Sequence, residues 1–111
     1  MIVWPGIVRM AGDAELTYVA DQRDWDAAGG RHHPLYAEDD YLLDANGHVY
    51  RLAAIVDGQV IPEATGATLA LVEVLGLVKA HAAQSGSCCV AKLYAPSIRQ
   101  AIELVKSIDE Q

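Results

Sequence analysis

The sequence predicts an α+β domain: an antiparallel or mixed sheet of four to six strands, with two C-terminal helices packed on one face. Two observations carry this reading. Asn46-Gly47 and Asp57-Gly58 sit between apolar runs, and such dipeptides favour the tight turns that join antiparallel strands. Apolar stripes at helical spacing occur only after them, so strand pairing comes early and helices late. All 111 residues are read as one domain, since 52% apolar residues suffice for a core and exceed what a disordered chain carries.

The first hairpin spans residues 7–20. Ile7-Val8-Arg9-Met10 and Glu15-Leu16-Thr17-Tyr18-Val19 flank Gly12-Asp13, which suits a Gly-first turn or a four-residue loop. Pro5 belongs ahead of the first strand or at an edge, because it has no N–H for a ladder. A short helix fits residues 21–28. Residues 29–40 show no periodicity, and long irregular connections in compact domains tend to be functional or disordered.

The meander follows. A two-residue loop at Asn46-Gly47 would set Ala45 opposite His48, Leu43 opposite Tyr50 and Tyr41 opposite Leu52. One face then carries Tyr41, Leu43, Tyr50, Leu52, Ala54, Val56 and Ile61, the expected core. The other carries Leu42, Asp44, Val49, Arg51, Ile55 and Val60, with Asp44 and Arg51 on a cross-strand diagonal. This second face is too apolar to be left wholly uncovered.

Residues 65–85 read as the first long helix, with Thr65 as N-cap and Gly86 as the stop. Leu71, Val72, Leu75, Val78 and Ala82 form one stripe; Leu69, Leu77 and Ala80 lie opposite, a pattern of burial on two sides. His81 is expected on the helix flank, partly exposed. Residues 88–94 read as an interior strand, continuous in apolar residues except Lys92. Ser97 with Gln100 has the spacing of a capping box, and Ile98, Ala101, Ile102, Val105 and Ile108 form the buried stripe of the last helix.

Charge and composition exclude several functions. Eight Lys and Arg against fifteen Asp and Glu give a net charge of −7, which argues against nucleic acid and anionic membranes as partners. No segment approaches the ~20 uncharged apolar residues of a spanning helix. Pro5-Gly6 and Arg9 break the N-terminal run where a signal peptide would continue, so a cytoplasmic location is expected. Cys88 and Cys89 are the whole thiol inventory and are read as small hydrophobes of the 88–94 strand. A thiolate activated by His81 is the one nucleophile arrangement conceivable, and nothing in the sequence joins those residues. No P-loop, dinucleotide fingerprint, GxSxG, HExxH or CxxC occurs, so no catalytic residue and no cofactor is assigned.

Two functional readings remain. The first is a non-enzymatic protein that self-associates as a homodimer or binds a protein partner. Its warrant is more apolar surface than one small core can hide, with Leu69, Leu77, Trp25, Val49 and Ile55 as contact candidates. The second is a small-ligand or metal-binding protein, or a weak enzyme, using residues 31–40. There His32, His33, Asp39 and Asp40 are the weak metal candidates, in a segment that also holds Glu38.

The opening Met1-Ile2-Val3-Trp4-Pro5-Gly6, the stretch Asp13-Ala14-Glu15-Leu16-Thr17-Tyr18-Val19 and the later Asp44-Ala45-Asn46-Gly47-His48-Val49-Tyr50-Arg51-Leu52 together resemble a family of short gammaproteobacterial proteins of unknown function. The resemblance spans most of the chain and implies a bacterial, cytosolic, single-domain protein. It rests on no catalytic motif and carries over no site residues.

Overall fold

The structure is a computed structural model and describes residues 1–28, 30 and 36–110. Among the described residues, five strands form one antiparallel sheet: β1 (Gly6–Arg9), β2 (Leu16–Val19), β3 (Tyr41–Leu43), β4 (His48–Val56) and β5 (Gln59–Thr68), in the order β2-β1-β3-β4-β5. Helix α1 (Gln22–Ala27) follows β2; α2 (Leu71–Gln84) and α3 (Ile98–Asp109) follow β5. The fold is α+β, with an antiparallel sheet.

Local signals set several boundaries. Asp21 caps α1 by accepting the Asp24 N–H at 2.8 Å. Ser97 caps α3 by accepting the Gln100 N–H at 3.2 Å and donates its hydroxyl to Gln100 Oε1 at 2.9 Å. Asp57 (φ 52°) and Gly58 (φ 75°) form the expected two-residue turn, which pairs Val56 with Gln59.

The Asn46-Gly47 turn differs from expectation. Leu42 pairs with Tyr50 and Leu43 with Val49, so the connection is one residue longer than a two-residue loop. Asp44 organises it, accepting the N–H groups of Asn46 and His48 at 2.9 Å each, and Gly47 takes the left-handed conformation (φ 83°). Side chains alternate along a strand, so this one-residue offset exchanges the faces of β3 relative to β4. Leu42, Tyr50 and Leu52 share one side; Leu43 and Val49 share the other. The Asp44–Arg51 diagonal is lost: Asp44 is buried and bonded to backbone, while Arg51 is exposed opposite Tyr41.

Both sheet faces are covered. On one side α2 and α3 pack Val74, Val78, Ala82, Ala101, Ile102, Val105 and Ile108 against Ile7, Leu16 and Leu43. On the other, Trp25 of α1 packs with Val8, Val19, Leu42, Tyr50, Leu52 and Val60, flanked by Ile2, Trp4 and Tyr36. The expected stripe of α3 is buried apart from Ile98, which is half-buried.

Three expectations in the second half are corrected. Residues 65–68 belong to β5, pairing Tyr50 with Ala64 and His48 with Thr68, and α2 begins only at Leu71. Its start is set by the Glu73 carboxylate, which accepts the Ala70 N–H at 2.9 Å. The buried residues of α2 are Val74, Val78, His81 and Ala82, whereas Val72 is 75% exposed. Residues 88–94 are no strand: Cys89 is left-handed (φ 60°), a 3₁₀ turn covers Val90–Lys92, and both cysteines are exposed.

Candidate functional site

Strand lengths shape the most distinctive surface. Strand β3 has three residues, and on β4 it reaches only from Val49, Leu43's partner, to Arg51. Beyond that point β4 has β5 alone as neighbour, so the strand ends around Asp57-Gly58 form a two-stranded ribbon extending past the five-stranded part. A register shift between Arg51 and Ala54 reverses the alternation within β4. Leu52, two residues after Tyr50, and Val60, which the shift sets opposite Ile55, both lie on the Trp25 side and are buried. Ile55 pairs with Val60, and Ala54 pairs with Ile61. Past the covering elements, Ile55 is 50%, Val56 56% and Ile61 43% exposed.

This ribbon is also nearly uncharged. From Leu52 to Pro62 the only charged side chain is Asp57, whereas 21% of the whole chain is charged. The ribbon end therefore offers three large aliphatic side chains with little charge among them.

The sequence-based contact candidates separate on this geometry. Ile55 lies on the ribbon. Val49, Leu69 and Leu77 are half-buried against the core beneath α2 and α3. Trp25 is only 1% exposed: its Nε1–H donates to the Val60 carbonyl at 3.0 Å, and its ring stacks on Tyr36 with centroids 6.2 Å apart. It fastens α1 to the base of the ribbon, as a core residue. Val56 and Ile61 were missing from the candidates. Their signal lay in strand lengths, since the apolar run before Asn46-Gly47 is too short to pair with all of the run after it.

Of the metal candidates, His32 and His33 lie outside the described residues. Asp39 is exposed, and its carbonyl accepts a bond from Arg9 Nη1 at 3.4 Å. Asp40 is buried and accepts the N–H groups of Ala11 at 2.7 Å and Ala37 at 2.6 Å, tying the irregular segment to the first hairpin. Among the described residues no group of three or more His, Cys, Asp or Glu could hold a metal ion.

Two further buried polar groups hold the frame. Asp44 Oδ2 accepts the Val3 N–H at 3.1 Å and the Tyr50 hydroxyl at 3.3 Å, in addition to its turn bonds. His81, expected to be partly exposed, is buried at 2% exposure. Its Nδ1 accepts the Leu16 N–H at 3.0 Å, so Nε2 carries the proton and donates to Asp109 Oδ1 at 2.7 Å. Both ring nitrogens are engaged in joining β2, α2 and α3. The thiol–imidazole arrangement gains no support from this geometry. Burial raises the Tyr36 hydroxyl pKa to about 12, with Asp40 adding to the effect.

With the geometry in place, comparison with known proteins is informative about kinship. A family profile described as a protein structure with unknown function matches residues 4–105, which include all five strands, α1, α2 and most of α3. This chain belongs to the DUF4144 family. A solved NMR structure of a protein from Shewanella amazonensis is 27% identical, covering 96% of this chain and 90% of that one, with a TM-score of 0.69. That source agrees with the gammaproteobacterial resemblance of the sequence, and the likeness supports the α+β fold. No curated protein matches the chain. No described helix is long and apolar enough to cross a membrane.

Proposed function

We propose that this DUF4144 member is a small acidic cytoplasmic protein that acts without catalysis, by self-association through the end of the β4–β5 ribbon. The observation that carries the reading is the exposure of Val56 and Ile61 on one face, and of Ile55 on the other, of an extension that its own helices do not cover. For a second copy as the partner, charge favours this surface over the others: two chains of net charge −7 repel, and they repel least where a single aspartate stands among eleven residues. Free thiols suit a reducing compartment.

The interaction is expected to be weak. Fully burying a large aliphatic side chain contributes ~1.5–3 kcal/mol, and these three are already about half-buried. Two copies therefore gain roughly 6 kcal/mol from these side chains against an association cost of about 4–15 kcal/mol. Net of that cost these side chains supply at most ~2 kcal/mol, so a dimer at tens to hundreds of micromolar requires the rest of the ribbon surface to contribute about 4 kcal/mol more, and sedimentation velocity over that range should show it as a reversible species. Val56→Lys with Ile61→Lys should give a monomer of unchanged thermal midpoint. A wild-type chain that stays monomeric throughout that range overturns the reading.

A further inference from the structure

We propose that Cys88 and Cys89 form a thiol-oxidation site that takes low-molecular-weight disulfides and closes reversibly to a disulfide between neighbouring residues. The two cysteines are adjacent, both are free and both are exposed, on the connection between α2 and α3. Exposure gives an incoming oxidant access to either sulfur, and the second thiol stands one residue away to displace what the first has bound. They lie on the connection after α2, outside the β4–β5 ribbon that carries Ile55, Val56 and Ile61.

The backbone here is poised to move. Cys89 holds φ 60° and ψ 32°, a conformation that costs a side-chain-bearing residue about 1–2 kcal/mol. Its carbonyl accepts the Lys92 N–H at 3.0 Å and so begins the 3₁₀ turn Val90–Lys92. Val90 and the following Leu93 rest, half-buried, on the core beneath the helices. On the other side, the Ser87 N–H is held by the Ala82 carbonyl at 3.0 Å. A change at Cys89 therefore reaches the packing of Val90 and Leu93 while α2 keeps its end.

The chemistry is thiol–disulfide exchange. One thiolate attacks a sulfur of glutathione disulfide; the S–S bond breaks, a mixed disulfide forms and one glutathione thiolate leaves. The neighbouring thiolate then attacks the protein sulfur of that mixed disulfide and expels the second glutathione. Overall the protein loses two electrons and two protons, and one glutathione disulfide becomes two glutathiones. Consecutive Cα atoms lie about 3.8 Å apart, below the usual disulfide range of about 4.4–6.8 Å. The ring is strained and should be readily reduced, which makes the change reversible.

The test treats the full chain with glutathione disulfide and follows intact mass and peptide maps. The expected product is a monomer lighter by two hydrogens, with both cysteines in one bridge, restored by dithiothreitol. Cys88→Ser and Cys89→Ser should each stop at a stable single glutathione adduct. Hydrogen exchange should quicken at Val90 and Leu93 in the oxidised wild type and stay unchanged in the Cys88→Ser adduct. A wild-type chain that collects two glutathione groups, cross-links between chains or does not react overturns the proposal.

Discussion

Replacing Asp44 with alanine removes the acceptor shared by four donors: the N–H groups of Val3, Asn46 and His48, and the hydroxyl of Tyr50. The carboxylate is 1% exposed. Asn46 and His48 are exposed residues, so water can replace part of what their N–H groups lose. The Tyr50 hydroxyl retains the Met1 carbonyl at 3.1 Å, and Val3 lies half-buried on the N-terminal segment. A buried donor left without a partner costs about 1–3 kcal/mol, and part of the loss is offset because a charge no longer has to be buried. The net expectation for Asp44→Ala is ~3 kcal/mol, or a fall in midpoint of roughly 12 °C for a chain of this size. Asp44→Asn keeps one carbonyl oxygen for the turn and should cost about half as much. Urea denaturation of both variants measures these losses. If Asp44→Ala lies within ~1 kcal/mol of wild type at an unchanged m-value, the four bonds do not hold the turn as argued.

Two other outcomes follow from the buried polar groups. His81→Ala should cost ~2–4 kcal/mol in urea denaturation, combining a cavity beneath α2 with an unpaired Leu16 N–H; Asp109→Asn should cost under ~1 kcal/mol, because Asp109 is 45% exposed. Burial is the main cause raising the hydroxyl pKa values of Tyr18, Tyr36, Tyr41 and Tyr50, to about 12 for Tyr36 from an ordinary 10.0. The folded chain then holds more protons than the unfolded chain above pH ~10, so stability should be whole below that pH and decline from there toward about 12. Thermal midpoints recorded across this window, beside phenolate absorbance, check the sign.

Much of the fold was legible because its signals are local. Asp21, Ser97 with Gln100, and Asp57-Gly58 act within four residues of themselves, and each does what its chemistry suggests. Asn46-Gly47 is also local, yet a left-handed glycine serves both a two-residue turn and a longer one. Asp44 decides between them, and its Val3 bond spans 41 positions. Thr65 to Thr68 follow the strand because β4 is there to pair with them, against a pattern that suits helix equally. His81 looks like a surface residue until the Leu16 N–H, 65 positions away, is brought to it. Residues 88–94 are apolar enough for an interior strand, but the backbone turns left-handed at Cys89 and closes a 3₁₀ turn over Val90–Lys92, which breaks the extended run. Of the candidate site, Ile55 was legible; Val56 and Ile61 were hidden by assigning them to a continuous core face.

Pro62 stands in β5, the outer strand of the ribbon and an edge of the sheet. A rim strand with every amide available is a growing end, onto which further molecules can stack their own backbones without limit. The pyrrolidine ring leaves a gap in that row of donors. Polymerisation by backbone addition is thereby discouraged on the side of the molecule where its greasiest extension lies, and encounters between molecules are left to side chains, which can separate again.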